Sequence, residues 1–519
     1  MDLPLVNRIF RRLFAHETCS VLRSARPRSR IGQTTVRYYA SQYREKDVRK
    51  PTSLADVIDR DSWNKRSEFF QDDITDEYLV YPVMTAEMLK KRRTRPKRVK
   101  MLMREFIEDS LYNPHYGYFP KEAHILSLEE PFDFNSMKSL SDFNVVLEER
   151  YISYEDELDR QYDAAQPFEK IAEAKNRDVA TPKDLRQIWQ TPTELFKPFY
   201  AEAMARYMAT QYKLSQYPYY DLLIYEMGAG NGTFMLNTLD YLRDVHPDVY
   251  DRTQFKIIEI SSSLAHLQQR AASRGHESKV TIINQSIFDW DTYVSSPCFF
   301  VALEVWDNFA HDCIRWDPRT KEAYQSWVVI DRQGELHEYF EPQIDPVAAR
   351  FMRIRDEAVS VPWPHPLARR DWGRKLFAQL PGSGMKARLT VPEYLPTRLM
   401  QFFDILHNYF PAHRLLCGDF NGFTSEVPGI NAPAVQTRFK REMVGVTTPL
   451  VSQGHFDIMF PTNFPVMEQI YNAMTGKLTR VMSQEEFLRR WAYTEETRVK
   501  NGENPLLDWY KNASMMLTL

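Results

Sequence analysis

The chain has 519 residues, enough for two or three domains, and its 43% hydrophobic and 26% charged residues are the mixture of a globular protein. A formal net charge of −3 gives no general attraction for DNA or an anionic membrane surface, and the longest apolar runs, such as 298–303, are far too short to span a bilayer. The four cysteines (Cys19, Cys298, Cys313, Cys417) have no C-x-x-C or metal-ligand spacing, which points away from both a disulfide framework and a metal site.

Residues 1–40 carry eight arginines and only two acids, Asp2 and Glu17, while Leu5, Ile9 and Leu13 share one helical face. Such a leader has the features of a mitochondrial transit peptide, and Arg37-Tyr38-Tyr39-Ala40 resembles a matrix processing site. A basic tail that binds nucleic acid is the alternative. Residues 41–100 form a polar extension ending in the basic run Lys90–Lys100. That run reads either as a contact for RNA or an acidic partner, or as a solvated linker. Within 101–189, Met103, Phe106, Ile107 and Leu111 predict an amphipathic helix closed by Asn113-Pro114. The Glu- and Asp-rich stretch at about 120–185 then reads as an inserted, partly helical surface segment.

From residue 190 the texture changes to alternating helices and short apolar runs, at 221–226, 255–260, 280–284, 298–304, 326–331 and 414–419. Unbroken aliphatic runs separated by helices predict an α/β, Rossmann-like unit over 190–480, with a mostly parallel sheet covered on both faces. A helical segment is expected over 481–519.

The segment Tyr225-Glu226-Met227-Gly228-Ala229-Gly230-Asn231-Gly232-Thr233 predicts a strand end, a glycine turn and a helix start. Glycine allows positive φ and close approach of a ligand, so Gly228, Gly230 and Gly232 are candidate cofactor contacts with Glu226. A dinucleotide fingerprint would want glycine where Thr233 stands, which argues against NAD. Glu259, at the end of the second strand and before the cap-like Ser261-Ser262-Ser263, is placed to accept hydrogen bonds from a ribose diol. The third strand leads to Ser286, Ile287 and Asp289, and the fourth to Glu304-Val305-Trp306-Asp307, so four strand ends carry polar groups on one rim.

These blocks resemble the MidA-type methyltransferase family in order and spacing. Glu105-Phe106-Ile107 and Asn113-Pro114-His115-Tyr116-Gly117-Tyr118-Phe119 are similar to its E-Y-M and N-P-x-x-G-Y-Y, and Thr191-Pro192-Thr193-Glu194 to its T-S-P-E. Glu226–Gly232 resembles its E-x-G-P-G-R-G loop, Leu303–Asp307 its N-E-F-F-D, Cys417–Phe420 the stretch around A-D-Y-G, and His455–Ile458 its D-I-T. Ala229 and Asn231 replace Pro and Arg of the loop, and Asn463 stands where the family has aspartate.

The resemblance implies a class I methyltransferase fold and S-adenosyl-L-methionine as cofactor. It further implies an arginine acceptor on a mitochondrial matrix protein, a complex I subunit, with symmetric dimethylation in the assembly or stability of that complex. Thr191 and Glu194 fall on its substrate side. Because guanidinium does not deprotonate in water, carboxylates must grip it and accept a proton. Glu304 and Asp307 are the expected catalytic acids, with Asp457 a third. A non-catalytic assembly factor keeping the fold, or a mitochondrial RNA or ribosome-associated methyltransferase, are the competing expectations.

Overall fold

Alternate residues of the central strands serve two different cores, which is why those strands read as unbroken apolar runs. In the computed structural model, which describes residues 79–121, 123–165, 186–363, 365–368, 388–423 and 431–519, the central sheet has seven strands. Numbered along the chain they are β1 Leu222–Met227, β2 Thr253–Ile258, β3 Val280–Ile283, β4 Cys298–Leu303, β5 His413–Phe420, β6 Thr479–Ser483 and β7 Ala513–Thr518. The leader expected over 1–40 lies outside the described residues, as does most of the 41–100 extension.

The spatial order is β3-β2-β1-β4-β5-β7-β6, with β1 to β5 parallel and β7 antiparallel to both its neighbours. Phe299 and Val301 of β4 point into one core with the helices Phe199–Ser215 and Thr233–Val245. Cys298, Phe300 and Ala302 point into the other, with Thr397–Tyr409 and Phe464–Thr475. Each such buried large side chain contributes roughly 1.5–3 kcal/mol. Strand order reverses between β1 and β4, and in open α/β sheets the crevice outside the strand ends at that point is where ligands bind.

Three expectations need correction. The run 326–331 does not join the parallel sheet. It belongs to Ala323–Ile330, which pairs antiparallel with Val99–Leu102, Asp312–Trp316 and Leu336–Glu341 in a separate sheet. The helix Met103–Tyr112 packs Phe106, Ile107 and Leu111 onto that second sheet. Residues 481–519 are not simply helical, since β7 completes the central sheet between β5 and β6. The acidic insertion is not only surface. Its helix Leu140–Ala165 buries Phe143 and Leu147 in the first core, where Phe143 stacks with Phe196 and meets Trp509 edge-on.

The basic run folds back on the body. Arg95 donates to the Gln453 carbonyl at 2.6 Å and contacts the His455 ring, Pro96 and Val99 are buried, and Val99 opens a strand. No helix among the described residues is long and apolar enough to cross a membrane.

Candidate functional site

The glycine turn sits at the end of β1, on the side where strand order reverses. Gly228, Gly230 and Gly232 all have positive φ, +71°, +52° and +81°, which a side chain would strain. The Cβ of any residue replacing Gly230 would also lie 2.6 Å from Cδ1 of Ile125, which reaches over the turn from the insertion. The helix Thr233–Val245 starts from Gly232, as the sequence predicts.

Glu194, expected on the substrate side, sits beneath the glycine turn. It is 1% exposed, and its Oε1 accepts hydrogen bonds from Asn231 Nδ2 at 3.0 Å and Thr233 Oγ1 at 2.6 Å. Thr191 caps the short helix Pro192–Leu195, its hydroxyl accepting the Glu194 amide. Glu194 therefore holds the glycine turn through Asn231 and Thr233, and Thr191 fixes the short helix that carries Glu194.

Glu226, 4% exposed, has one carboxyl oxygen buried without a hydrogen-bond partner. Burial, with Glu259 nearby, raises its pKa well above the usual carboxylate range. Glu259 is better served: the Ser261 amide donates to Oε1 at 2.9 Å and Gln268 Nε2 to Oε2 at 2.8 Å. Gln268 also donates to the Gly230 carbonyl at 2.9 Å, tying the second strand to the glycine turn. The sequence carries no local signal for Gln268, whose amide is fully buried on the helix Ser262–Ala272 only in the fold. The orphaned Glu226 oxygen, the left-handed glycines and the adjacent Glu259 carboxylate fit a ligand that presents hydroxyl and amino donors.

The third strand end departs from expectation. Ser286 caps a 3-10 turn by accepting the Phe288 amide, and Ile287 is a core residue. Asp289 is 54% exposed and faces Lys90 at 3.4 Å. These three are not gathered into the buried cluster of Glu226 and Glu259.

At the ends of β4 and β5, four carboxyl groups converge. Glu304 has φ +52°, a left-handed conformation that non-glycine residues adopt at a cost of about 1–3 kcal/mol. Asp307 is buried with Oδ1 unpartnered, and Asp457 is buried with Oδ2 unpartnered while Oδ1 accepts Asn308 Nδ2 at 2.9 Å. Asp419, which sequence reading did not single out as a site residue, accepts the amides of Val305 and Trp306 at 3.1 and 2.7 Å and that of Phe420 at 2.7 Å.

Burial, then the neighbouring Asp419, raises the Glu304 pKa well above its ordinary value; burial, then Asp419, Asp457 and Glu304, does the same to Asp307. Burial pushes Asp457 up to about 8. Asp419 rises only to about 6, because burial is opposed by its backbone donors. Like charges this crowded resist ionisation together, and a cation among them would relieve the repulsion. The arrangement therefore suits a positively charged group beside the glycine turn. Among the described residues no cluster could hold a metal ion.

Comparison with known proteins bears on the family and its cofactor. A family model described as "Putative S-adenosyl-L-methionine-dependent methyltransferase" matches residues 203–482. A Schizosaccharomyces pombe protein named protein arginine methyltransferase NDUFAF7 homolog, mitochondrial, is 26% identical over 334 residues, covering 60% of this chain and 68% of its own. Its Saccharomyces cerevisiae namesake is 22% identical over 350 residues, covering 62% and 78%. A crystal structure from Burkholderia thailandensis with bound S-adenosyl-homocysteine superposes with a TM-score of 0.49 at 14% identity, over 81% of this chain and 88% of that one. The family model spans more than half of the 519 residues, and the chain belongs to the MidA-type S-adenosyl-L-methionine-dependent methyltransferases.

Proposed function

We propose that the chain is a protein arginine methyltransferase of the mitochondrial matrix, acting on a subunit of respiratory complex I during its assembly. The observation that carries this reading is the convergence of Glu304, Asp307, Asp419 and Asp457 beside the glycine turn. The names of the two yeast relatives support both the arginine acceptor and the compartment.

Glu226, Glu259 and the glycine turn would hold S-adenosyl-L-methionine, which supplies a methyl group on a sulfonium, already an excellent leaving group. The chain's remaining task is placement, and alignment of reacting groups supplies roughly 7–11 kcal/mol. Glu304 and Asp307 hold the guanidinium plane so that one nitrogen lone pair faces the methyl carbon. The cation's charge favours ionisation of both acids, and one of them receives the proton released on transfer. Asp457, fixed by Asn308, contributes a further acceptor on the same side.

Mass spectrometry of complex I subunits from mitochondria with and without this chain tests the reading. A dimethylarginine present only with the chain is expected, and its fragmentation separates symmetric from asymmetric product. Identical arginine methylation in both samples, with complex I assembly still impaired, would leave a non-catalytic assembly factor instead.

A further inference from the structure

We propose that Asp419 is a positioning residue for methyl transfer, a carboxylate from β5 that clamps the turn after β4 and thereby holds Glu304 in its left-handed backbone. This inference rests on the reading of Glu304 as an acceptor-side acid. Asp419 Oδ2 takes the two amides that directly follow Glu304, at 3.1 and 2.7 Å, while the Glu304 amide itself donates to the Gly418 carbonyl at 2.8 Å. Glu304 is thus gripped on both sides by consecutive residues of the neighbouring strand. Asp419 is 1% exposed, so no water competes for these bonds.

The clamp also has an electrostatic role. With three backbone amides on its oxygens, Asp419 is the member of the cluster best able to stay ionised at neutral pH. The titratable groups facing Glu304 are Asp419 from β5, Asp307 from its own turn, Tyr200 from the helix Phe199–Ser215 and Tyr510 from the C-terminal segment. Asp307 faces Asp457 and Tyr112 in addition. Among these, the Asp419 carboxylate is the one whose charge opposes ionisation of both Glu304 and Asp307. After burial, its charge is therefore the contribution that raises both acids, and removing it should let both ionise at lower pH.

Two substitutions in the full chain separate geometry from charge. Asp419→Asn removes the charge and keeps one oxygen for the Val305 and Trp306 amides, losing the Phe420 bond; Asp419→Glu keeps the charge and lengthens the clamp. In Asp419→Asn, the carbon-13 carboxyl signal of Glu304, identified by its loss in Glu304→Gln, should titrate about 1–3 pH units lower than in wild type. The acid limb of the kcat profile should move the same way. In Asp419→Glu the limb should stay, while kcat falls by about 10²-fold and S-adenosyl-homocysteine affinity, read by calorimetry, is unchanged. An unmoved Glu304 titration in a variant that still binds S-adenosyl-homocysteine would overturn the proposal. If wild type methylates no arginine but the Glu304 signal moves as stated, the clamp stands and the acceptor assignment falls.

Discussion

The two halves of the rim are built from the same residue type and solve opposite problems. On the cofactor half, Glu259 has a donor on each oxygen, and Glu194 binds two side chains of the glycine turn. Those two acids are satisfied within the fold and hold the turn, while Glu226 beside them keeps one buried oxygen without a partner. On the acceptor half, Asp307 and Asp457 each keep a buried oxygen without a partner, and the acids oppose one another's charge. Burial and the neighbouring acids therefore hold these groups toward the protonated form, and a cation bound there would favour their ionisation. Hydrogen bonds within the fold fix the cofactor half, while the proposed acceptor half would take on its full charge only with a cation bound.

The largest effect expected from this contrast is at Glu304. Glu304→Gln should lower methyl transfer by about 10²–10⁴-fold with S-adenosyl-homocysteine affinity nearly unchanged, as measured by turnover on an arginine peptide and calorimetry. Equal loss of both would move Glu304 to the cofactor half.

Next comes stability against pH at Asp457. Its acid is protonated in the fold up to about 8 but ionises near 4 once unfolded, so its contribution is full below about pH 4 and is lost as pH rises to about 8. Urea unfolding of wild type at pH 5 and pH 8 should therefore show a fall that Asp457→Asn reduces by a few kcal/mol, since each pH unit between the two values is worth about 1.4 kcal/mol. An equal fall in the variant would mean the acid is ionised in the fold.

Glu194→Ala should weaken S-adenosyl-homocysteine binding by about 1–3 kcal/mol, the scale for losing hydrogen bonds to a charged group, with peptide KM unmoved. A raised KM at constant cofactor affinity would return Glu194 to the substrate side. The smallest effect belongs to Asp289. As an exposed partner of Lys90, its replacement by Ala should change cofactor affinity by less than about 0.5 kcal/mol, and a tenfold loss would place it in the pocket after all.

What the sequence by itself determined was local. The glycine turn was legible because only glycine accepts three positive φ values so closely spaced, and the cap at Ser261 because its hydroxyl reaches the Leu264 amide three residues on. The strands β1, β2 and β4 were legible as continuous apolar runs, and Glu226, Glu259 and Glu304 followed as the polar residues at their ends. Only the tertiary structure decided pairing. A buried run looks the same in either sheet, so Ala323–Ile330 could not be told from a parallel strand. The methionine-rich Ala513–Thr518 has a single β-branched residue, Thr518, and it takes the form of a strand because an open position beside β5 receives it. The roles of Glu194, Gln268 and Asp419 depend on partners 37, 38 and 114 residues away, and no local pattern encodes a hydrogen bond across that distance.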